Sequence, residues 1–365
     1  MEINYSLISI LIFFYYGAQS LIFLFGILKI KNTSLSNKIE KVTVIVAARN
    51  EENNIVNCVE SIFQSNYPKE YFEVIVIDDQ STDNTFEILK KLFDKYNNLK
   101  ILKSPNNTVI LGKSNAIDYG IKNASGDLIL MTDADCVVNK HWIQSVVNNF
   151  DENVGLVAGI TLQNTNSIFS GMQSLDWAFL LGIGAAGISL KNPFSVIGNN
   201  FSIRKKVYFE IGGYENLKFS VTEDFMLFKA VEEKTNWEIK FPVSSDTLVI
   251  SKPCNNFKEL IKQKKRWATG GLDMKLSGFS IMLAGFLMHL FFIFALFNFS
   301  IFNLLIMSSK IILDFIFLFV VLFKLNKINL LKYFIFFEIY YTIYVLILPF
   351  IVFLTGRLEW KGRKY

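Results

Sequence analysis

Four long apolar segments restrict what this chain can fold into, one near the amino terminus and three near the carboxyl terminus. They run over residues 7–28, 279–299, 301–323 and 333–354. Each has roughly the 20 apolar residues that a helix needs to cross a bilayer. The composition, 52% apolar and 15% aromatic, reflects these segments, because the residues between them have ordinary polarity. The sequence therefore predicts a membrane protein with one polar domain between two apolar regions.

Basic residues beside these segments predict the orientation. The first segment is followed by Lys29, Lys31, Lys38 and Lys41. A secretory signal would carry its charges before the apolar core and a cleavage site after it, so we expect an uncleaved anchor. The positive-inside rule then places the amino terminus outside and the polar domain in the cytoplasm.

The last three segments fit this rule in part. Lys324, Lys327 and Lys332 would face the cytoplasm, as the rule requires. Three full spans would place the basic residues of the carboxyl terminus outside, so a re-entrant or interfacial segment is the alternative; these residues are Arg357, Lys361, Arg363 and Lys364. The predicted units are an anchor over residues 1–30, a cytoplasmic domain over 41–274, about three membrane helices over 279–356 and a basic tail over 357–365. We expect a multi-pass protein of the cell (inner) membrane.

Cysteine usage and charge argue against other classes. Cys58, Cys136 and Cys254 lack metal-ligand spacing, and three scattered cysteines fit neither a disulfide framework nor a zinc site. The net charge of +5 is modest, and much of the Lys and Arg lies near apolar segments. Since no basic stripe with interleaved aromatics occurs, nucleic acid is not an expected partner.

In the polar domain, three apolar runs end in charged side chains. The runs are residues 42–48, 74–77 and 128–132, followed by Arg49 and Glu51, by Asp78 and Asp79, and by Asp133 and Asp135. Continuous apolar runs of this length are typical of buried parallel strands. Ligands of open α/β sheets bind beyond the carboxyl ends of the strands. We therefore expect these six side chains at one edge of a sheet.

Helical patterns alternate with these runs. Apolar spacing predicts a helix over residues 51–65, a second from 85 to 96 and a third that opens at 111–117, with a short strand at 101–102. Glu51 and Glu52 are expected in the first turn of the first helix, where its dipole favours acids. Strand-helix alternation predicts an α/β fold with a mostly parallel sheet covered on both faces.

Two later stretches are less regular. Residues 170–196 could form a core helix, a helix on the membrane surface near an acceptor, or a short re-entrant piece, but not a span. The surface helix is about as compatible with the flanking Asp176 and Lys191 as the core helix. Glu223 and Asp224 are expected at a helix start, with Ser220 or Thr222 as its cap.

The sequence Asp133-Ala134-Asp135 predicts a metal site. Two carboxylates at a strand end suit a hard divalent cation bound to a diphosphate, and Mg²⁺ needs only one or two protein carboxylates. An isolated Asp-x-Asp would more often be a solvated acidic turn. Its position after a buried strand, with Asp78 and Asp79 after another, favours Mg²⁺ or Mn²⁺ binding.

The segment Gln263-Lys264-Lys265-Arg266-Trp267 combines a phosphate-binding and a stacking group. Gln263 and Arg266 share a helix face, and the indole of Trp267 adds a flat surface, so the segment could bind a phosphate and a sugar acceptor. A basic juxtamembrane helix at lipid headgroups is the alternative, which explains the lysines but not Gln263 and Trp267.

The order of these motifs resembles the membrane-bound family 2 glycosyltransferases, which include cellulose, chitin and hyaluronan synthases and ceramide glucosyltransferases. The resemblance covers the whole predicted cytoplasmic region and is carried by Asp78-Asp79, Asp133-Ala134-Asp135, Thr222-Glu223-Asp224 and Gln263-Lys264-Lys265-Arg266-Trp267. Residues 47–51 also resemble the family's first strand end, with Ala where a proline is common, and residues 112–116 resemble its glycine-lysine segment beside the donor phosphates. The resemblance implies a Rossmann-like GT-A nucleotide-sugar-binding domain with an N-terminal transmembrane anchor and a C-terminal transmembrane helical region.

The resemblance also implies a role for each matching residue. The donor-binding residues would be Ala47, Arg49, Glu51, Asp78, Asp79, Lys113, Asp133, Gln263, Arg266 and Trp267, the last three also lying by the acceptor. Asp135, with Asp133, would hold Mg²⁺ or Mn²⁺, and Asp224, beside Glu223, would be the general base. One base without a second nucleophilic carboxylate predicts inversion at the anomeric carbon.

Three charges lie inside the predicted membrane segments. Lys310 and Asp314 are one helical turn apart, and Glu338 lies in the next segment. Charges there are costly and normally face the bundle interior in pairs. They could line an access path for a lipid acceptor, or they could pair with one another for structural reasons.

These patterns support three functional hypotheses. The first is transfer of a sugar from a nucleotide-sugar, UDP-linked, to a membrane lipid or glycan. The second is processive polysaccharide synthesis, and the third is a membrane protein that binds nucleotides without catalysis. The presence of both Asp135 and Asp224 speaks against the third, since binding alone requires no base.

Overall fold

The computed structural model describes residues 5–31, 38–106, 109–354, 359–360 and 363–364. The basic tail predicted over residues 357–365 therefore lies mostly outside the described residues. The helices are α1 Tyr5–Lys29, α2 Ile55–Phe63, α3 Thr85–Phe93, α4 Lys113–Lys122, α5 Trp142–Val147, α6 Ile168–Ser189, α7 Lys205–Glu210, α8 Glu223–Lys234, α9 Phe257–Gly270, α10 Leu276–Phe297, α11 Ile301–Lys324 and α12 Phe334–Leu354. The strands are β1 Val42–Ala48, β2 Phe72–Asp78, β3 Leu99–Lys103, β4 Leu128–Asp133, β5 Cys136–Val138, β6 Val154–Ala158, β7 Thr161–Gln163, β8 Phe201–Arg204, β9 Glu238–Lys240, β10 Val249–Ser251, β11 Glu359–Trp360 and β12 Arg363–Lys364.

A seven-stranded sheet in the order β3-β2-β1-β4-β8-β6-β9 forms the centre of the polar domain. β1 pairs in parallel with both β2 and β4, and β2 pairs in parallel with β3. β8 runs antiparallel to both of its neighbours, β4 and β6, and is the one reversed strand of this sheet. The predicted α/β fold with a mostly parallel sheet is confirmed.

Both faces of the sheet are covered, because successive side chains of a strand point to opposite sides. In β1, Val44 and Val46 contribute to one buried cluster with Ile55 and Val59 of α2. Ile45 contributes to the other cluster, which extends into the apolar helices. Such a two-faced burial explains why the strand reads as a continuous apolar run.

Two helix starts differ from the predictions. α2 begins at Ile55, so Glu51 and Glu52 lie in the preceding turn, and their predicted place in the first helical turn is wrong. Glu51 is held there because its N–H donates to Thr85 Oγ1 at 2.8 Å and its carboxylate accepts from Asn54 Nδ2 at 2.6 Å. Thr222 does precede α8, but its hydroxyl lies 3.1 Å from that of Ser220 and caps no helical N–H.

The stretch whose placement the sequence left open forms the core helix α6. Of its 22 residues, 17 are buried. The helix packs against β7 and β9 on one side and against the apolar helices α1, α11 and α12 on the other. Phe179 contacts the rings of Phe317 in α11 and Phe337 in α12. A helix that is apolar all round is a buried helix, and this one lies between strands of the polar domain and the apolar helices.

Among the described residues, four helices are long and apolar enough to cross a membrane: α1, α10, α11 and, with the turn before it, α12. The charges inside them are paired. Lys310 Nζ lies 2.9 Å from Asp314 Oδ2 and also contacts Glu338, and Tyr16 donates to Asp314 at 2.6 Å. The structural pairing that the sequence allowed is therefore present, while a role in lipid access stays a prediction.

Candidate active site

The register of the parallel strands brings their acidic ends to one edge. Ala48 of β1 lies opposite Asp78 of β2, and Ala47 lies opposite Asp133 of β4. Because parallel strands end at the same edge, the loops that follow them face the same space. This juxtaposition was predicted from the sequence.

Hydrogen bonds brace the loops after β1 and β2 against each other. Asp79 N–H donates to Ala48 O at 2.7 Å, and Arg49 Nη1 donates to Asp79 O at 2.8 Å. Asn50 adopts a left-handed conformation with φ 54°, and its side-chain oxygen accepts from Thr82 N–H at 2.8 Å. The backbone at this edge is therefore held in one shape, with Asp78 and Asp79 largely buried.

Lys113 connects the strand edge to a second acidic pair. Its Nζ lies 2.6 Å from Asp133 Oδ1 and 3.0 Å from Glu223 Oε1, so one ammonium joins the end of β4 to the start of α8. Burial disfavours this charge, but the two carboxylates outweigh burial and raise the pKa of Lys113. α4 begins at Lys113 directly after Gly112, whose φ of 65° favours glycine.

Asp224 occupies the first turn of α8 beside Glu223. Gly198 N–H donates to its Oδ2, and Phe225 N–H donates to its Oδ1 at 2.9 Å. Burial and the charge of Glu223 raise the pKa of Asp224 to about 6, although Lys113 and Arg266 act in the opposite direction. A carboxylate with such a pKa is a suitable general base near neutral pH.

The helix that carries Gln263, Arg266 and Trp267 packs against this acidic pair. A Cβ atom added at Gly270 would lie 2.0 Å from Thr222 Oγ1, so the end of α9 lies directly on the start of α8. The positive charge of Arg266 lowers the pKa of Asp224, as expected from proximity. The site thus combines acids from two strand ends with a basic helix.

An aromatic side chain of α9 contacts α6, and an amide oxygen of α9 is buried. The ring of Trp267 meets that of Trp177 edge-on, with 5.0 Å between centroids. Gln263 Oε1 is buried and accepts no hydrogen bond from any residue that the structure describes. A ligand hydroxyl could satisfy this oxygen, because a buried polar atom is costly without a partner.

The residues around Asp135 fit a hard cation. Asp135 lies two residues after Asp133, the last residue of β4, and Asp133 already contacts Lys113. Within the described part of the chain, no group of three or more His, Cys, Asp or Glu side chains is arranged to hold a metal ion. Burial first, and then Asp135 and Asp133, raise the pKa of the Cys58 and Cys136 thiols. One or two carboxylates that share a cation with a diphosphate match this arrangement.

The structure thus brings together Lys113, Asp133, Glu223, Asp224 and Arg266. Five of the other predicted donor-binding residues lie at the neighbouring strand ends; they are Ala47, Arg49, Glu51, Asp78 and Asp79. The last two, Gln263 and Trp267, lie on α9. Sequence reasoning missed Gly198, which reaches Asp224 only through the fold. It also gave Asp176 and Trp177 no role, although a lone acid within an apolar run was a signal.

The chain is similar in sequence and in fold to several known proteins. Residues 43–222 match the sequence model of glycosyl transferase family 2. Poly-beta-1,6-N-acetyl-D-glucosamine synthase of Staphylococcus aureus (strain MSSA476) is 28% identical over 247 residues, which are 67% of this chain and 57% of that protein. The synthase of the same description from Staphylococcus epidermidis is 29% identical over 249 residues, which are 66% of this chain and 57% of that protein. The chain thus matches little more than half the length of these relatives.

One solved structure resembles almost the entire chain. It is the mannosyltransferase PcManGT from Pyrobaculum calidifontis in complex with GDP-Man and Mn2+. The TM-score is 0.63 with 15% sequence identity, and the match covers 95% of this chain and 98% of that one. At this identity the similarity concerns the fold, including the predicted GT-A architecture.

Proposed function

We propose that this chain, whose residues 43–222 match the sequence model of glycosyl transferase family 2, is an inverting glycosyltransferase that moves a sugar from a UDP-linked nucleotide-sugar to a lipid or glycan acceptor at a membrane. The contact of Lys113 with both Asp133 and Glu223 carries this proposal. This contact connects α8, which holds the candidate base, with the strand edge at which a donor would bind.

The strand edge supplies the groups for donor binding. Asp78 and Asp79 would accept hydrogen bonds from the nucleoside, and Lys113 and Arg266 would face the diphosphate. Asp135, with Asp133, would hold Mg²⁺ or Mn²⁺. A bound divalent cation would neutralise the charge that develops on the diphosphate leaving group. The Mn2+ in the mannosyltransferase from Pyrobaculum calidifontis supports this assignment.

Asp224 would act as the general base. Its carboxylate would take the proton of an acceptor hydroxyl while that oxygen forms a bond to the anomeric carbon and the bond to the diphosphate breaks. Gly198 and Phe225 donate N–H groups to the carboxylate and so fix its orientation. With a single base, the attack inverts the anomeric carbon, and an α-linked donor yields a β-linked product.

A second candidate is processive synthesis of a β-linked glycan. Both quoted bacterial relatives are named as synthases of poly-beta-1,6-N-acetyl-D-glucosamine, which favours this version. In either version the four apolar helices would cross the cell membrane and leave the domain in the cytoplasm. A protein that only binds nucleotides would have no use for a base of raised pKa at Asp224.

Incubation of the purified chain in detergent with labelled nucleotide-sugars tests the proposal. The panel should contain UDP-N-acetylglucosamine, UDP-glucose and GDP-mannose, with Mg²⁺, Mn²⁺ or EDTA, and membrane lipids or β-1,6-linked N-acetylglucosamine oligomers as acceptors. We expect metal-dependent transfer of one UDP-sugar. Product length separates single transfer from processive synthesis, and no turnover of any donor would refute the enzyme.

Substitution of the base gives the matched test. Asp224→Asn should lower transfer by about 10²–10⁴-fold because the proton acceptor is lost, while binding of the nucleotide diphosphate persists. Glu233→Gln is the control, since Glu233 is an exposed acid of the same helix. Full turnover by Asp224→Asn would remove Asp224 from the mechanism.

A further inference from the structure

A buried ion pair joins α9, the helix that holds Trp267, to α6. Lys264 of α9 contacts Asp176 of α6, and the two side chains are 2% and 0% exposed. Asp176 is the one acid in the 22-residue helix α6. Two charges at this depth are costly unless they are well paired.

Aromatic rings complete the surroundings of the ammonium. Lys264 Nζ lies 4.5 Å from the ring centroid of Trp267 and 4.9 Å from that of Tyr344. Tyr340, stacked on Tyr344, donates its hydroxyl hydrogen to Asp176 Oδ2 at 3.3 Å. Cation–π attraction adds to the ion pair when the cation is desolvated. We call this set, Lys264, Asp176, Tyr340 and Tyr344, the α6–α9–α12 latch.

The latch joins three parts of the molecule. Lys264 stands between Gln263 and Arg266, so its side chain anchors the α9 turn that presents Trp267. Asp176 precedes Trp177, whose ring meets Trp267. The two tyrosines belong to α12, one of the apolar helices.

We propose that Lys264 and Asp176 are positioning residues for the acceptor, which hold the indole of Trp267 in place and link that position to α12. This inference rests on the proposed function for the statement that Trp267 lies by the acceptor. The placement of the indole itself is independent of it.

Stability alone does not account for the latch. A buried ion pair can often be replaced by apolar side chains of similar volume with no loss of stability. The ion pair is a directional contact to one atom and therefore sets the rotation of α9 about its axis. An apolar contact would not set this rotation. Removal of either charge leaves the other buried. Lys264 and Tyr340 both contact Asp176 Oδ2, and Oδ1 accepts no hydrogen bond from any described residue.

Three variants probe the latch in the full-length protein. Asp176→Asn keeps the shape and removes the charge, Tyr340→Phe removes only the hydroxyl, and Lys264→Met with Asp176→Leu replaces the pair by apolar groups. Lys262→Met is the matched control, because Lys262 is an exposed lysine two positions away on α9.

The first measurement is ¹⁹F NMR of protein labelled with 5-fluorotryptophan, with the Trp267 signal assigned through Trp267→Phe. We expect one Trp267 signal in the wild type and in Lys262→Met. In Asp176→Asn, Tyr340→Phe and the double variant the signal should broaden or split, because the indole samples several positions. An unchanged Trp267 signal in all three folded variants would overturn the positioning role.

The second measurement uses UDP-N-acetylglucosamine with a β-1,6-linked N-acetylglucosamine tetramer as the acceptor probe. We expect Asp176→Asn to raise the acceptor KM about tenfold, with hydrolysis of the donor in the absence of acceptor unchanged. If Asp176→Asn lowers the midpoint of thermal unfolding but leaves the acceptor KM unaltered, the ion pair has only a structural role. If the wild type is inactive on this probe, the glycan version of the proposed function fails, and the NMR result still decides the inference.

Discussion

At the scale of single residues, the protonation of Asp224 is set by opposed neighbours. Burial and Glu223 raise its pKa to about 6, whereas Lys113 and Arg266 favour the charged form. Lys113 is itself held by Asp133 and Glu223. The basicity of the candidate base therefore depends on a lysine that also touches the strand edge.

Lys113→Met should move the pH dependence of transfer. Loss of the positive charge raises the pKa of Asp224, so the fraction of the active carboxylate falls and the acidic limb of kcat/KM shifts from about 6 to higher pH. The profile should be measured between about pH 5 and pH 9. Lys122→Met, at the other end of α4, should change neither the rate nor the position of the acidic limb. If the acidic limb of Lys113→Met stays in place, the electrostatic account is wrong.

The sequence predicted the residues that stand at strand ends, because parallel strands bring their carboxyl ends together whatever the loops do. It could not predict the partners that meet only through the fold. Gly198 and Asp224 are 26 positions apart, and Asp176 and Lys264 are 88 apart. A periodic pattern reports only on neighbours along one element.

At the scale of elements, the apolar helices are tied by a buried charged group. Lys310 of α11 contacts Asp314 in the same helix and Glu338 in α12, and Tyr16 of α1 bonds to Asp314. The ammonium thus joins α11 to α12, and α1 is tied to the same group through Asp314. Its removal would leave two buried carboxylates with no cation beside them.

Lys310→Met should destabilise the helix bundle by about 3–5 kcal/mol, since it breaks a buried ion network by removing one partner. Thermal unfolding in detergent measures the effect. Addition of Asp314→Leu and Glu338→Leu should restore much of the loss, because no uncompensated charge remains. Lys332→Met, an exposed lysine in the connection to α12, is the control; equal midpoints for Lys310→Met and the control would show that the network carries no stability.

The placement of α6 shows why some elements could not be placed from the sequence. Its residues are apolar on almost every side, so no stripe indicates which neighbour it faces. The sequence pattern was therefore as compatible with a surface helix as with a core helix. Only the positions of α1, α11 and α12 decide between them, and these contacts join segments far apart in the chain.

At the scale of the whole molecule, α6 makes the domain and the apolar helices one packed body. Ser189 Oγ donates to Gly26 O at 2.7 Å, and a Cβ atom added at Gly182 would lie 2.9 Å from Val321 Cγ2. Helices approach this closely only where a small residue lies at the crossing. The site is therefore supported by helices that contribute no catalytic residue.

Gly26→Val tests this dependence. A Cβ at Gly26 would lie 2.8 Å from Ala186 O and 2.9 Å from Ala186 Cβ, so α1 and α6 must separate, at a cost of about 1–3 kcal/mol. Gly285→Val is the matched control, because a Cβ there lies more than 4 Å from every described atom outside the adjoining part of its own helix. Both changes place the same side chain in an apolar helix. We expect a lower unfolding midpoint for Gly26→Val alone, measured in the same detergent.

The same pair of variants shows whether α6 transmits its position to the site. Displacement of α6 moves Asp176, so Gly26→Val should weaken transfer to the acceptor more than binding of the nucleotide diphosphate, whose groups lie on the strand edge. Gly285→Val should leave both unchanged. If Gly26→Val loses nucleotide binding and transfer to the same extent, the sheet itself depends on α1. The helices would then support the fold as a whole and not the acceptor side in particular.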